Sequence, residues 1–214
     1  MEHDDIELED IGWKVLQQRR INLEKLLHQA IRSAQKRDGE VRLLDLALGS
    51  GRQVLEVLRS LPELSIRAEL RDIDQANLEK VRQLANQLGV TGLKFANLDA
   101  FDHRALQSID PQTNVALATG IFELTPDNSK VLGTLQGLAA GMKAGGLLVY
   151  TDQPHHPDLE MIGRLAVDRD ESPWTMRRRP GEEMAQLLRE GGLEEIEHLT
   201  DGHGLFRVGL ARVS

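Results

Sequence analysis

Hydrophobic residues recur along this chain at two different spacings, which together predict helices that alternate with strands. Between Asp10 and Arg37 they recur every three or four positions, and this spacing predicts a helix with a break near Arg20. The continuous apolar run from Val41 to Leu48 predicts a buried strand. Further strands are predicted at residues 65–72, 93–97, 114–119 and 147–151, and further helices at 52–60, 75–88, 127–142, from about 158, and at 180–190.

The last part of the chain has the pattern of a hairpin, with apolar segments at 193–199 and 205–213 on either side of Asp201-Gly202. This hairpin is expected to add an antiparallel strand at one edge of the sheet. Strands that alternate with helices form a parallel sheet with helices on both faces. The pattern therefore predicts an α/β fold in one compact unit. Residues 1–38 would form an acidic segment and helical lid, and residues 39–214 the main domain.

Composition and charge disfavour several classes of function. The 214 residues carry a formal net charge of −8, which disfavours nucleic acid as a partner because phosphate binding requires a basic surface. No cysteine is present, so a disulfide, a thiolate metal site and a cysteine nucleophile are all excluded. The first ten residues include six acids and do not resemble a signal peptide. No apolar run has the length of a membrane span, and we expect a cytoplasmic protein.

The corner Gly49-Ser-Gly51, between the first strand and the next helix, is typical of a nucleotide site. Glycines let the backbone approach a ligand, and the free N–H groups of the helix start point toward it. Val54 stands where a dinucleotide fingerprint needs glycine or alanine, so a nicotinamide cofactor is disfavoured. Asp72, at the end of the second strand, can accept hydrogen bonds from both ribose hydroxyls. Asp74 is a rival for this role, although we favour it as a helix N-cap.

Four stretches in succession resemble the motifs of class I S-adenosylmethionine-dependent methyltransferases. They are Leu-Asp-Leu-Ala-Leu-Gly-Ser-Gly from 44, Arg-Asp-Ile-Asp from 71, Asn-Leu-Asp-Ala-Phe-Asp from 97 and Lys-Ala-Gly-Gly-Leu-Leu-Val-Tyr from 143. The stretches 120–128, 153–157 and 174–179 more narrowly resemble a bacterial methyltransferase family whose members are sometimes fused behind an α/β-hydrolase domain. The resemblance covers nearly the whole chain beyond about residue 10.

The resemblance implies a Rossmann-like sheet of seven strands, in which the last strand lies antiparallel between its neighbours. It also implies S-adenosylmethionine as the cofactor. Gly49 and Gly51 would approach its methionine part, Asp72 would hold the ribose, and Thr119 with Gly120 would lie beside the sulfonium. The full set of implied cofactor-binding residues is Asp45, Gly49, Gly51, Asp72, Ile73, Asp99, Ala100, Thr119 and Gly120.

Methyl transfer needs a general base only when the acceptor arrives protonated. The candidates after the fourth and fifth strands are Glu123, Asp152, His155 and His156. His156 is the first choice, since histidine titrates near neutral pH, and Glu123 is the second. Each has a structural alternative: His156 as a hydrogen-bonded loop histidine, and Glu123 as a helix-start acid or a salt-bridge partner. No metal is expected, because the chain has no pair of histidines at ligand spacing and no cysteine.

The basic run at 177–179 indicates either a clamp for an anionic group of the acceptor or a solvated turn. The candidate substrate-binding residues are Trp13, Gln153, His155, Arg177, Arg178 and Arg179. The leading hypothesis is methylation of a small-molecule or lipid-precursor acceptor, with an anionic acceptor as one option. The alternative is a non-catalytic cofactor-binding or interaction protein, because Gln53 and His155 replace aromatic residues of the family. The oligomeric state stays open.

Overall fold

A single seven-stranded sheet organises the computed structural model, which describes residues 2–155 and 177–214, with side chains from residue 13 onward. The strands are β1 Val41–Asp45, β2 Ile66–Asp72, β3 Leu93–Asn97, β4 Val115–Ala118, β5 Leu147–Asp152, β6 Leu193–Thr200 and β7 Arg207–Val213. The helices in these ranges are α1 Glu2–Asp38, α2 Arg52–Arg59, α3 Gln75–Leu88, α4 His103–Gln107, α5 Asn128–Gly141 and α6 Gly181–Glu190. The helix predicted from about residue 158 lies outside the described residues.

The strand order is β3-β2-β1-β4-β5-β7-β6, and only β7 runs antiparallel to its neighbours. The predicted α/β fold and the inserted last strand are therefore confirmed. The hairpin lies at one edge of the sheet as expected, with β6 as the edge strand and the antiparallel β7 inserted between β5 and β6. The burial of the two strands gives the reason: side chains on both faces of β7 are buried, whereas those of β6 alternate toward solvent.

Helices cover both faces of the sheet and form two hydrophobic clusters. Successive residues of a strand point to opposite faces, so Leu43 of β1 belongs to the first cluster and Leu44 to the second. The first cluster includes α1, α2 and α3, and the second includes α4, α5 and α6. In the described part of the chain, no helix combines the length and apolar character that crossing a bilayer requires.

Helix α1 continues through residue 20, so the predicted break is wrong. Arg20 lies on the outer face of the helix and bonds Glu24, one turn later, at 2.8 Å. The inward stripe runs on from Val15 to Leu23 and Leu26, all buried, which gives the helix one continuous packed face. Helix α4 was not predicted. Its N-cap is Asp102, whose side chain accepts from the Ala105 N–H at 3.0 Å.

Gly51 is required by packing as well as by backbone conformation. Its φ is +61°, in the left-handed region that favours glycine. A Cβ atom on Gly51 would lie 2.5 Å from Cγ1 of Val81, in α3. The glycine therefore allows the start of α2 to pack closely against α3, which fixes the corner relative to the end of β2.

We predict that Gly51→Ala destabilises the fold by about 3 kcal/mol, of which about 1 reflects the left-handed backbone and the rest overpacking. Gly89→Ala is the matched control, because Gly89 has a φ of +69° and nothing within 4 Å of the added Cβ. Gly89→Ala should lower the free energy of unfolding only by the backbone contribution. Urea unfolding measures both. In a Val81→Ala background, the Gly51→Ala cost should fall to the control value, and an unchanged cost would contradict the packing account.

Candidate functional site

The carboxyl ends of β1, β2 and β4 meet at one edge of the sheet, where the structure brings together most of the predicted cofactor residues. Gly49 has a φ of +54°, and a Cβ atom there would project into open space. Its N–H donates to Asp72 Oδ2 at 2.7 Å, and the Asp74 N–H donates to Asp72 Oδ1 at 2.8 Å. Each carboxylate oxygen of Asp72 keeps a further lone pair that can accept a hydrogen bond.

Asp74 and Asp72 have different roles in the structure. Asp74 is the N-cap of α3, and its side chain accepts from the Ala76 N–H at 2.8 Å. This arrangement is the one that we favoured from the sequence. Asp72 is buried at the corner itself and joins the end of β2 to the loop after β1. The geometry therefore favours Asp72 over Asp74 for a ligand that lies on the corner.

A cleft of about 530 Å³ lies between the first turns of α1 that have described side chains and the glycine corner. Its lining residues are Trp13, Leu16, Gln17, Arg19, Arg20, Ala47, Leu48, Gly49, Ser50, Gln53 and Thr119. Helix α2 starts at the edge of this cleft without a side-chain cap. The N–H groups of its first turn therefore make an anion-binding position, because helix N-termini carry unpaired donors and partial positive charge.

Asp45 lies beneath the corner and lines a small hollow of about 30 Å³ together with Gly51 and Thr119. Its carboxylate accepts from the Ala47 N–H at 3.2 Å. Burial raises the pKa of Asp45 to about 7, and the charge of Asp72 adds to this effect. Asp45 thus supports the loop from below.

The adenine-side candidates lie at the ends of β2 and β3. Ile73 is 64% exposed, so its side chain is available to cover a flat ligand. Asn97 Nδ2 donates to the carbonyl oxygens of Asp72 and Ile73 at 2.9 and 2.8 Å, and thereby holds this segment. Asp99 Oδ1 accepts from the Phe101 N–H at 2.9 Å, and Ala100 is buried beside it.

Glu123 is buried in an ion pair, which is the salt-bridge alternative considered from the sequence, although its partner Arg19 was not predicted. Arg19 of α1 donates through Nη2 to Glu123 Oε1 at 2.9 Å and to Thr151 Oγ1 at 3.2 Å. The Thr151 hydroxyl donates to Glu123 Oε1 at 3.1 Å and accepts from the Gly120 N–H at 2.8 Å. Burial raises the pKa of Glu123, and the Arg19 charge partly opposes this shift. The network joins α1 to the ends of β4 and β5.

The sequence pattern could have indicated that Arg19 points toward the sheet. It lies on the inward stripe of α1, four residues after Val15 and four before Leu23. A cation at such a position needs a partner once the helix packs on the sheet. Its guanidinium also lies over the ring of Phe206, 4.8 Å from the centroid, which is a cation–π contact.

The three arginines at 177–179 do not converge on one anion site. Arg179 is buried and donates to the carbonyl oxygens of Phe122 and Thr125, and to Asn128 Oδ1 at 3.0 Å. The other two separate from it, since Arg177 bonds the Pro126 carbonyl and pairs with Glu183, whereas Arg178 is exposed. Groups of the protein thus occupy donors of Arg177 and Arg179, which leaves Arg178 as the exposed member of the run. Arg179 and Arg177 instead hold the loop after β4 in place.

The remaining candidates after β5 have separate environments. Asp152 is buried in an ion pair with Arg207, at 2.7 Å, and is therefore not a free base. Gln153 is buried, and its Nε2 atom has no hydrogen-bond partner among the described residues. His155 is exposed. His156 lies outside the described residues, and within those residues no group of acids and histidines could hold a metal ion.

Comparison with known proteins identifies the family. A family model described as "Putative methyltransferase" matches residues 3–213. The chain belongs to this methyltransferase family. The uncharacterized protein YnbC of Escherichia coli K12 is 37% identical over 210 residues, which are 97% of this chain and 36% of YnbC. The chain thus spans about a third of the length of that relative.

Solved structures share the fold of this chain. The magnesium protoporphyrin IX methyltransferase of Synechocystis PCC 6803, solved with bound SAH, has a TM-score of 0.69 at 12% identity, over 95% of this chain and 87% of that one. The [4+2]-cyclase SpnF has a TM-score of 0.67 at 17% identity, over 89% of this chain and 80% of that one. These likenesses show the fold alone, since one fold carries several chemistries.

The family match supports S-adenosylmethionine, which the motifs predict, as the cofactor. The residues at the corner fit this molecule. The open space above Gly49 leaves room for a ligand, Asp72 has spare acceptors for hydroxyl groups, and the uncapped start of α2 suits a carboxylate.

We predict that Arg179→Met destabilises the fold by about 3 kcal/mol, because two buried carbonyl groups lose their charged donor. Arg178→Met is the matched control, since Arg178 is exposed. It should change the free energy of unfolding by no more than about 0.5 kcal/mol. Urea denaturation compares the two variants, and equal stabilities would contradict the fastening role of Arg179.

We predict that Asp45 makes the free energy of unfolding depend on pH. The unfolded chain releases the Asp45 proton near its ordinary pKa of 3.8, whereas the folded chain keeps it until about pH 7. Stability that depends on Asp45 therefore falls as the pH rises through this window and stays low above it. Asp45→Asn removes the effect, so the variant should gain about 2 to 3 kcal/mol over the wild type between about pH 5 and pH 8. Parallel stability curves in urea would refute the raised pKa.

Proposed function

We propose that this protein transfers a methyl group from S-adenosylmethionine to a small molecule bound between α1 and the glycine corner. The observation that carries the proposal is the Asp72 carboxylate, which accepts from the Gly49 N–H at 2.7 Å and keeps further acceptor capacity, while Gly49 itself lines the open cleft. When bound, the cofactor supplies an electrophilic methyl group that an acceptor atom takes, while the electron pair of the broken bond stays on sulfur.

In this proposal the corner residues bind and orient the cofactor. Asp72 accepts hydrogen bonds from the ribose hydroxyls, and the first turn of α2 holds the methionine carboxylate. Ile73, Asp99 and Ala100 surround the adenine. Thr119 and Gly120 lie beside the sulfonium, where the hydrogen bond from the Gly120 N–H to Thr151 keeps the end of β4 in place. Asp45 supports the loop from below. Gly51 keeps α2 and α3 in contact.

Glu123 acts in the proposal through other residues. Its carboxylate is shared by Arg19 and Thr151, and both bonds would break if it left to take a proton from an acceptor. We therefore assign Glu123 as a positioning residue, which fixes α1 and Gly120 around the reacting atoms. His156 stays the candidate base and Trp13, Gln153 and His155 stay candidate acceptor contacts. For Arg177 and Arg178 we propose no ligand contact.

A second candidate function is cofactor binding without methyl transfer. One observation favours it: Glu123 and Asp152, two of the four candidate bases, are both occupied by arginine partners. Radiolabelled methyl groups distinguish the two functions. Saturable S-adenosylhomocysteine binding with labelled product in an acceptor panel supports methyl transfer. Binding with no labelled product in any reaction supports the second function.

We predict that Asp72→Asn weakens S-adenosylhomocysteine binding about 10- to 100-fold, because charge-assisted hydrogen bonds to the ribose are worth about 1.5 to 3 kcal/mol. Asp74→Asn should bind within about twofold of the wild type, since asparagine also caps helices and Asp74 has no proposed ligand contact. Titration calorimetry measures both affinities. Equal losses in the two variants, or none in Asp72→Asn, would remove the ribose assignment.

A further inference from the structure

Two of the five residues that α1 contributes to the cleft are apolar side chains exposed to solvent. Trp13 is 63% exposed and Leu16 is 48% exposed, and both line the cleft above Gly49. They lie three residues apart, so they share one face of the helix. A single exposed hydrophobic residue is ordinary, whereas a neighbouring pair on the wall of a cleft indicates a binding surface.

The cations beside this wall are already neutralised. Arg20 pairs with Glu24 at 2.8 Å and also with Glu56. Arg19 pairs with Glu123, whose side chain is only 4% exposed. An anionic acceptor that took Arg19 would leave Glu123 buried without its cation, which is strongly unfavourable. A carboxylate of the acceptor would therefore compete with Glu123 for the Arg19 guanidinium.

The other polar groups of the cleft are neutral. Gln17 and Gln53 offer amide donors and acceptors, and Ser50 and Thr119 offer hydroxyls. Such groups can orient a hydroxyl or carbonyl substituent without requiring charge. Trp13 adds a wide flat face, against which aromatic rings pack in offset or edge-on arrangements. The volume of about 530 Å³, which the acceptor would share with part of the cofactor, is in the range of small-molecule sites.

We infer that the acceptor is a neutral molecule with a flat aromatic ring system, bound against Trp13 and Leu16. The inference rests on the proposed function and names its substrate class. It replaces the anionic acceptor considered from the sequence. The glycine corner and Thr119 form the floor of the cleft and would face the cofactor, while the α1 wall faces the acceptor.

The test uses the full chain saturated with S-adenosylhomocysteine and three probes in titration calorimetry at neutral pH: 2-naphthol, 2-naphthoate and decanol. The first two share a ring system and differ in charge, and the third is neutral without a ring. We expect 2-naphthol to bind at least about tenfold more tightly than either other probe. Trp13→Ala should lose at least about tenfold in 2-naphthol affinity, and Trp13→Phe should retain most of it.

Ile21→Ala is the matched control, because Ile21 is an exposed residue of α1 that does not line the cleft. It should leave 2-naphthol binding unchanged. Tighter binding of 2-naphthoate or decanol, no binding of 2-naphthol, or equal losses in Trp13→Ala and Ile21→Ala would overturn the inference. Because S-adenosylhomocysteine binding is measured first in each sample, a failure of the cofactor site is distinguished from a wrong acceptor class.

Discussion

The hydrogen bond from the Gly49 N–H to the Asp72 carboxylate is the constraint on which the rest of the site depends. It joins the loop after β1 to the end of β2 at 2.7 Å. The same carboxylate accepts from the Asp74 N–H, at the residue that caps α3, and α3 in turn packs Val81 against Gly51. One acid thus sets the shape of the corner and the direction of two helices, and it still has acceptors for a ligand.

Local patterns predicted much of this architecture, because the features concerned involve neighbouring residues. The buried run that became β1, the glycine corner and the Asp74 cap were all correctly identified. Contacts between distant parts of the chain were not predicted. Arg19 meets Glu123 across 104 residues, and Arg179 reaches the Phe122 carbonyl across 57. An arginine run that binds an anion and one that holds a loop in place have the same sequence pattern. Only the contacts of the folded loop distinguish the two roles.

Ion pairs around the cleft determine which acceptor charge the cleft can accommodate. The basic run at 177–179 suggested an anionic acceptor, yet Arg177 has an acidic partner, as do Arg19 and Arg20 beside the cleft. Beside the cofactor corner, the cleft presents Trp13 and Leu16, neutral amides and arginines that are already paired. Because the same fold also occurs in a protein named as a [4+2]-cyclase, these side chains, and not the fold, carry the argument about chemistry.

The most direct test of the cofactor corner is an amide chemical-shift titration of the isotopically labelled chain with S-adenosylhomocysteine. The account predicts saturable shifts for the amides of Gly49, Ser50 and Gly120, with the amide of Gly204, in the turn before β7, unaffected. Binding that leaves the chemical shifts of the three corner amides unchanged would contradict the account. So would shifts centred on the groove at the opposite edge of the sheet, near Arg42 and Gly92.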